Sequence, residues 1–364
     1  VKKHIVFTVI NDLTYDQRMA RICATLAISG YEVTLIGRLL GNSVPLLSQA
    51  YKQRRIKCFF NRGPIFYIEY QIRLFFVLLF IRCDMYTAID WDTLLPNTLV
   101  AIIKSRKLAV DAHEYFTEVP EVKDRPFIKY CWHMVAKYCL PTTTLRFTVS
   151  MSLAEELERV YKVPFEVIRN VPSKKSVLQD DRNKKIIIYQ GDLNPGRGIE
   201  PCIKAMKHVD AMLYIAGDGP MMQALKILAK QEGVADKVVF YGYINATELH
   251  ELTSNAWLGI NLLDSTSKSY YFSLSNKFFN YVQARIPQLC SKLPEYAYLN
   301  TIHQVAIFCE YDAQNIASAI NNLMQNATQY EAIKQATAVA AAEWNWENEK
   351  QLLISLYDQA FAHR

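Results

Sequence analysis

The sequence predicts an α/β protein made of two doubly wound parallel sheets in succession, facing each other across a cleft. Three observations carry that prediction. A chain of 364 residues is about twice what one ordinary core fills, at roughly 150 residues per domain. Short apolar runs alternate with helix-length amphipathic segments, the pattern of parallel strands joined by crossover helices. A polar stretch containing Pro172, VIRNVPSKKSVLQDDRNKK at 167–185, divides the series in two.

In the first half, HIVFTVI (4–10) reads as a strand. The segment from Tyr15 to Ser29 reads as a helix, because Met19, Ile22, Cys23, Leu26 and Ala27 recur at i, i+3, i+4, i+7 and i+8 along one face. Gly30 ends it and YEVTLIG opens the next strand. Basic residues crowd YKQRRIK (51–57), where Lys52, Arg54, Arg55 and Lys57 form either a solvated face or a contact for anionic lipid headgroups. IFYIEYQIRLFFVLLFI (65–81) reads as a buried helix, with a helix lying in a membrane interface as the competing reading. Glu69 and Arg73 interrupt it, and it falls short of the roughly 20 residues of a membrane span. Further strands are expected at 85–89, 108–111 and 146–149.

The second half repeats the logic, with strands at 186–190, 212–216, 238–241, 257–263, 287–291 and 305–309. The expected domains are 1–168 and 169–345, both Rossmann-like, with a closing helix in 346–364. Ligands of such sheets bind beyond the carboxyl ends of the strands, so the loops there are where chemistry is sought.

Composition narrows the partners. With 51% hydrophobic and 21% charged residues the chain is of soluble globular type. Its net charge of +6 favours nucleotides, phosphates or an acidic membrane face, without the basic density of a nucleic-acid binder. The eight cysteines form no CxxC pair and read as buried free thiols of a cytoplasmic protein. The apolar run of VKKHIVFTVIND stops at Asn11 and Asp12 after a strand's length, so no export signal is expected.

Among the loops, GDLNPGRG (191–198) comes close to a P-loop but has Arg197 in place of the lysine and Gly198 in place of Ser or Thr. A strand, a turn through Gly191, Gly196 and Gly198 and a helix start remain, offering N–H groups to an anion with Arg197 as a fork suited to a diphosphate. A tight turn with a solvent-exposed arginine is the plainer alternative. IAGDGP (215–220) leaves its strand through Gly217, Asp218 and Gly219, which lets backbone approach a base or phosphate closely. Ser275 and Asn276 are capping candidates ahead of Lys277, and DAHEYF (111–116) places His113 and Glu114 at a strand's carboxyl end.

These motifs, with NDLTYDQRMAR and SGYEVTLIGR at the start, VIRNVP beside the linker, SLSNKFFNYVQARIP and the terminal WNWENEKQLLISLY, run over most of the chain in an order that resembles the retaining GT-B glycosyltransferases, in particular those similar to glycosyltransferase family 4. The resemblance implies the GT-B fold and transfer of a hexose from a nucleotide-diphosphate sugar, UDP or GDP, to a glycan or lipid-linked acceptor with retention of configuration. It implies diphosphate binding by Arg197 with Gly196 and Gly198 shaping the loop, approach of His113 to the donor sugar, and a place for Asn276 and Lys277 near the phosphates. The last helix, around Leu352 to Phe361, would cross back onto the first domain. Two positions depart from the family's pattern. Phe272 and Asn280 stand where many members carry two acidic residues, the second holding the ribose, and Asp192 stands where a basic residue is common. Asn280 can still hydrogen-bond a diol, though less strongly than a carboxylate.

Such a reaction needs preorganised cations at the departing diphosphate, and Arg197, Lys277 and helix N-termini supply them without a metal. No HExxH or His/Cys cluster calls for one. The acceptor is expected near Asn11, Asp12, Tyr15, Asp16 and Arg18, with Glu114 orienting substrate, although Asp12 is equally a helix cap. The apolar 65–81 segment and the basic 51–57 cluster would suit a lipid-linked acceptor at the inner face of a membrane. Two other readings share the architecture: a nucleotide-sugar epimerase, which needs more carboxylates than are placed here, and a non-catalytic glycosyltransferase-like partner subunit, which Asn280 and Asp192 keep open.

Overall fold

The computed structural model describes residues 2–14, 16–176 and 185–362. The chain forms two compact units, Val1–Asn170 with Glu349–Arg364, and Val171–Asn348. The first contains β1 (His4–Thr8), α1 (Gln17–Ile28), β2 (Glu32–Leu39), β3 (Lys52–Lys57), α2 (Gly63–Phe80), β4 (Met85–Ile89), α3 (Asp90–Lys104), β5 (Lys107–Ala112), α4 (Pro120–Lys123), α5 (Pro126–Cys139), β6 (Leu145–Thr148), α6 (Met151–Tyr161) and β7 (Glu166–Val167). The second contains β8 (Ile186–Gln190), α7 (Ile199–Ala205), β9 (Met212–Ala216), α8 (Met222–Gln231), β10 (Val238–Gly242), α9 (Ala246–Ser254), β11 (Leu258–Asn261), α10 (Lys268–Tyr271), α11 (Asn276–Gln283), β12 (Gln288–Ser291), α12 (Pro294–Ile302), β13 (Ala306–Cys309), α13 (Ala313–Gln325) and α14 (Ala327–Glu343). α15 (Trp346–Ala362) follows.

Each unit is one parallel sheet, of order β3-β2-β1-β4-β5-β6-β7 and β10-β9-β8-β11-β12-β13. Strands covered by helices on both faces read as continuous apolar runs, and β4 (MYTAI) is buried at every residue. The chain order reverses between β1 and β4 and between β8 and β11. Loops leaving those strands diverge to opposite faces and open a crevice at the carboxyl ends.

The sequence expectations meet the structure at most strands, with differences at the ends. α1 begins at Gln17 instead of residue 15, because the Asp16 carboxylate accepts from Met19 N–H at 2.9 Å and so starts the helix there. Tyr15 lies outside the described residues. The basic cluster is itself a strand, β3, at the edge of the first sheet. Alternation turns Arg55 inward, where it donates to Asp12 O at 2.6 Å, Val44 O at 2.6 Å and Thr14 Oγ1 at 2.7 Å. Lys52, Arg54 and, at the strand's end, Lys57 remain exposed, and Lys52 pairs with Glu32. The segment read as a linker is well packed as far as it is described: Ile168 and Val171 are fully buried, and residues 177–184 lie outside the description.

The expectation of a buried helix at 65–81 is corrected. Only Phe66, Tyr70, Leu74 and Leu78, spaced four apart, are buried, and Tyr70 anchors the helix by donating its hydroxyl to Val9 O. Ile65, Ile68, Ile72, Phe76 and Phe80 are 52–84% exposed along another face. By length and composition α2 could cross a membrane. Glu69 and Arg73, the charges that interrupt it, pair with each other at 2.7 Å, and Glu69 also accepts from Phe59 and Phe60 N–H. From Glu349 onward α15 belongs to the first unit, with the Tyr357 ring among Phe7, Tyr31 and Phe147.

Candidate functional site

In the second unit the loop after β8 is tied to its neighbours by backbone. Gly191 N–H donates to Ala216 O at 2.9 Å, Leu193 N–H to Asp218 O at 2.9 Å, and Asp264 N–H to Gly196 O at 2.9 Å. Gly217 has φ +152°, and a Cβ there would stand 1.9 Å from Gly191 O. A Cβ at Gly219 would meet Leu193 N at 2.7 Å, and one at Gly198 would meet Leu262 Cβ at 2.4 Å. These glycines therefore let three loops stack at the reversal point of the sheet. Asp218 serves locally, accepting from Gly219 N–H at 2.7 Å.

One expectation about this loop is corrected. The N–H of Gly198, expected to face an anion, donates to the Tyr311 hydroxyl at 2.9 Å. The anion-binding capacity rests on side chains instead. Arg197 lies 4.9 Å from the Tyr270 ring centroid, and its Nε is shut off from solvent without a partner among the described residues. Lys277, on the first turn of α11, is 6% exposed, and its Nζ sits 5.0 Å from the centroid of the Tyr189 ring. Burial, and then the Arg197 guanidinium, pull the Lys277 ammonium down to about 7 from its ordinary 10.5, against the pull of Asp192. Two neighbouring cations with no ion pair to either among the described residues make a site suited to added negative charge.

The remaining expected residues of this unit surround that pair. Ser275 is the N-cap of α11, its Oγ accepting from Lys277 N–H at 3.3 Å while its own N–H donates to Tyr296 at 3.2 Å. Asn276 is exposed one residue on, and Asn280 is half-buried a turn later. The aromatic partners Tyr189 and Tyr270 escaped the sequence reading. Tyr189 sits inside an apolar strand and Tyr270 in the short α10, and neither is distinguishable from a packing residue without its neighbours.

In the first unit the structure gathers Arg18, Asp111 and His113. Arg18, 4% exposed, holds Asp111 through Nε at 3.1 Å and Nη2 at 2.8 Å, and donates Nη1 to Ile168 O at 2.9 Å. Its expected role in acceptor binding is therefore corrected: the guanidinium is buried and committed to Asp111 and the backbone. His113 Nε2 lies 2.8 Å from Asp111 Oδ2, which leaves Nδ1 without a partner among the described residues. Burial works against charging this ring, but Asp111, by charge and hydrogen bond, raises its pKa above the ordinary value. Asp111 is in turn held below the usual carboxylate range by Arg18 and His113, against its own burial.

Asp90 was missed by sequence reasoning. It follows β4 with φ +54°, a left-handed backbone uncommon outside glycine, and its Oδ1 accepts from His113 N–H at 2.8 Å. Burial pushes its carboxyl up to about 7, against the charge of His113 and with that of the exposed Glu114. The available signal was the acidic pair in IDWD directly after an apolar strand.

Asn11, Asp12 and Asp16 shape the loop after β1. Asn11 donates to Asp16 at 2.6 Å, and Asp12 accepts from Thr14 N–H at 2.9 Å and Ser43 Oγ at 3.1 Å. Asp12 is thus a loop staple, and the helix cap is Asp16. All three line a cavity of about 1070 Å³ within this unit. Among the described residues no three His, Cys, Asp or Glu side chains are grouped as a metal site would require.

Residues 170–339 match the family described as glycosyl transferases group 1. An uncharacterized glycosyltransferase of Methanocaldococcus jannaschii is 32% identical over 133 residues, 30% of this chain and 34% of that protein, so the match spans about a third of the relative's length. Among solved structures, sucrose-phosphate synthase from Thermosynechococcus elongatus superposes with a TM-score of 0.82 at 17% identity, covering 100% of both chains. HepE of Anabaena in complex with UDP-glucose superposes with a TM-score of 0.76 at 13% identity, covering 98% of this chain and 99% of that one. The chain has the α/β GT-B fold, with two parallel-sheet, Rossmann-like units.

Proposed function

We propose that this protein is a retaining glycosyltransferase that moves a hexose from a nucleotide-diphosphate sugar, UDP or GDP, to an acceptor, without a metal. One observation carries the reading: Arg197 and the buried Lys277, two cations with no ion pair among the described residues, lie at the carboxyl end of β8, where a diphosphate would supply negative charge. The family match of the second unit and the UDP-glucose bound by the Anabaena neighbour support it.

The anomeric C–O bond breaks as the diphosphate leaves, and Arg197 and Lys277 stabilise the charge that grows on it. The acceptor oxygen bonds to the anomeric carbon from the face of departure, and its proton passes to the leaving phosphate oxygen. His113, oriented by Asp111, donates from Nδ1 to the donor. The loop Asn11–Asp16 bears on the acceptor, and Asn280 on the nucleotide's ribose. We place the protein in the cytoplasm, in contact with an anionic bilayer through the exposed stripe of α2, which Arg62 and Arg82 flank in the chain.

Thermal unfolding with UDP, GDP, ADP, CMP and dTDP tests the donor site, since a ligand that binds the folded state stabilises it. UDP or GDP is expected to raise the melting temperature equally with and without magnesium. Arg197→Ala removes a charge-assisted contact worth about 1.5–3 kcal/mol, so it weakens that nucleotide roughly tenfold to a hundredfold. A panel with no shift for any nucleotide would sink the proposal.

A further inference from the structure

The first unit's cavity, about 1070 Å³, is bounded by Ile10, Asn11, Asp12, Thr14 and Asp16, the residues after β2, the start of α2 and the inner sides of α4 and α5. It stands at the upper end of small-molecule sites, roughly 300–1,000 Å³. Its wall is mainly apolar, with Phe66, Tyr67, Leu95, Ile128, Trp132 and Val135, and the Tyr67 and Trp132 rings meet edge-on at 5.8 Å. Polar side chains such as Asn11, Asn42, Asn61 and Gln71 stand elsewhere on the lining, but the aromatic and aliphatic wall itself offers a sugar's hydroxyls no partners.

Three arginines line the cavity, Arg38, Arg62 and Arg125, and Arg38 is the one set against the aromatic wall. Arg38, from β2, lies over the Phe66 ring with its guanidinium 4.2 Å from the centroid. Among the described residues its side chain makes no hydrogen bond or ion pair, and its Nε is closed to solvent. Of the three carboxylates lining the same cavity, Asp12 is engaged by Thr14 and Ser43 and Asp16 by Met19 and Asn11, while Glu121 is exposed on α4. An arginine stacked on a ring with its fork of donors unused is suited to an anionic oxygen. Ile68 lines the cavity and also belongs to the exposed stripe of α2, so the two apolar surfaces are continuous.

We propose that this cavity holds an acceptor in which a phosphate ester is joined to a long apolar chain, with Arg38 on the phosphate and the Phe66–Trp132–Val135 wall on the chain. The assignment rests on the glycosyl-transfer reading for the word acceptor, and it names the substrate class. Continuity with the α2 stripe favours a chain reaching in from a lipid layer over a compact soluble ring.

Titration of the full chain with farnesyl phosphate below its micelle concentration, with farnesol and inorganic phosphate in parallel, tests it. Farnesyl phosphate is expected to bind at one saturable site, at least tenfold tighter than farnesol and at least a hundredfold tighter than phosphate. Arg38→Gln should reduce it to the level of farnesol, and Val135→Trp, which fills the wall, should abolish binding of both. Both variants should keep the nucleotide thermal shift, which also reports that they fold. Equal binding of farnesol and farnesyl phosphate, phosphate binding as tight as either, indifference to both substitutions, or no binding would each overturn the proposal. Loss of every nucleotide shift in the wild type with farnesyl phosphate binding intact would sink glycosyl transfer and leave the cavity's ligand standing.

Discussion

Lys277 shows how a single buried cation links stability to ligand. Its ammonium releases its proton near pH 7 in the folded chain and near 10.5 when unfolded. Between those values the unfolded state binds more protons, so this group makes stability rise with pH across that window. Lys277→Met is expected to flatten the rise, which denaturant unfolding between pH 7 and 10 reads. A diphosphate beside the ammonium restores its charge, so UDP or GDP binding above pH 7 takes up a proton. Calorimetry in buffers of different ionisation enthalpy measures that uptake, and its absence would move the phosphates away from Lys277. Asp111 plays the complementary part, a buried carboxylate between Arg18 and His113. Asp111→Asn leaves the Arg18 guanidinium buried and unpaired, at about 3–5 kcal/mol of unfolding free energy. The same change lowers the His113 pKa, which NMR titration of the ring follows.

At the scale of elements, the crossing of the two glycine loops governs the second unit's site. Gly217→Ala forces a Cβ onto Gly191 O at a φ that side chains rarely adopt. It is expected to cost more than about 1 kcal/mol and to weaken nucleotide binding by displacing the Arg197 loop, read by thermal shift with and without UDP or GDP. Turns at Gly191, Gly196 and Gly217 were legible, because strand, glycine and helix start follow one another locally. The fate of the Gly198 N–H was not, because its acceptor Tyr311 lies 113 residues away. α2 was misread for a related reason. Its composition is apolar all round, so periodicity cannot say which stripe packs, and only α3 and the Tyr70 bond to Val9 choose the face.

At the scale of the whole molecule, a net charge of +6 and an exposed apolar helix act on one partner together. Co-sedimentation with anionic liposomes is expected at low salt and should decline as ionic strength rises and the Debye length contracts from about 30 Å at 0.01 M to about 8 Å at 0.15 M. Ile68→Glu with Phe76→Glu should abolish it while leaving the nucleotide thermal shift in place. Binding to neutral liposomes as tight as to anionic ones would leave the basic residues without a part. Failure to sediment with either would remove the membrane from the function.

The alternation of apolar runs with amphipathic segments determined two parallel sheets, the positions of most strands and the loops where chemistry gathers, since that pattern is local and recurs every few residues. Tertiary structure alone decided which polar groups are engaged inside the protein and which are left for a ligand. Arg18, Arg55, Asp12 and the Gly198 N–H found internal partners, whereas Arg38, Arg197 and Lys277 found rings instead of carboxylates. The physical reason is that the partners that decided these fates, Asp111 for Arg18, Asp12 O for Arg55 and Tyr311 for Gly198, lie tens to a hundred positions away and are brought near only when the sheets close.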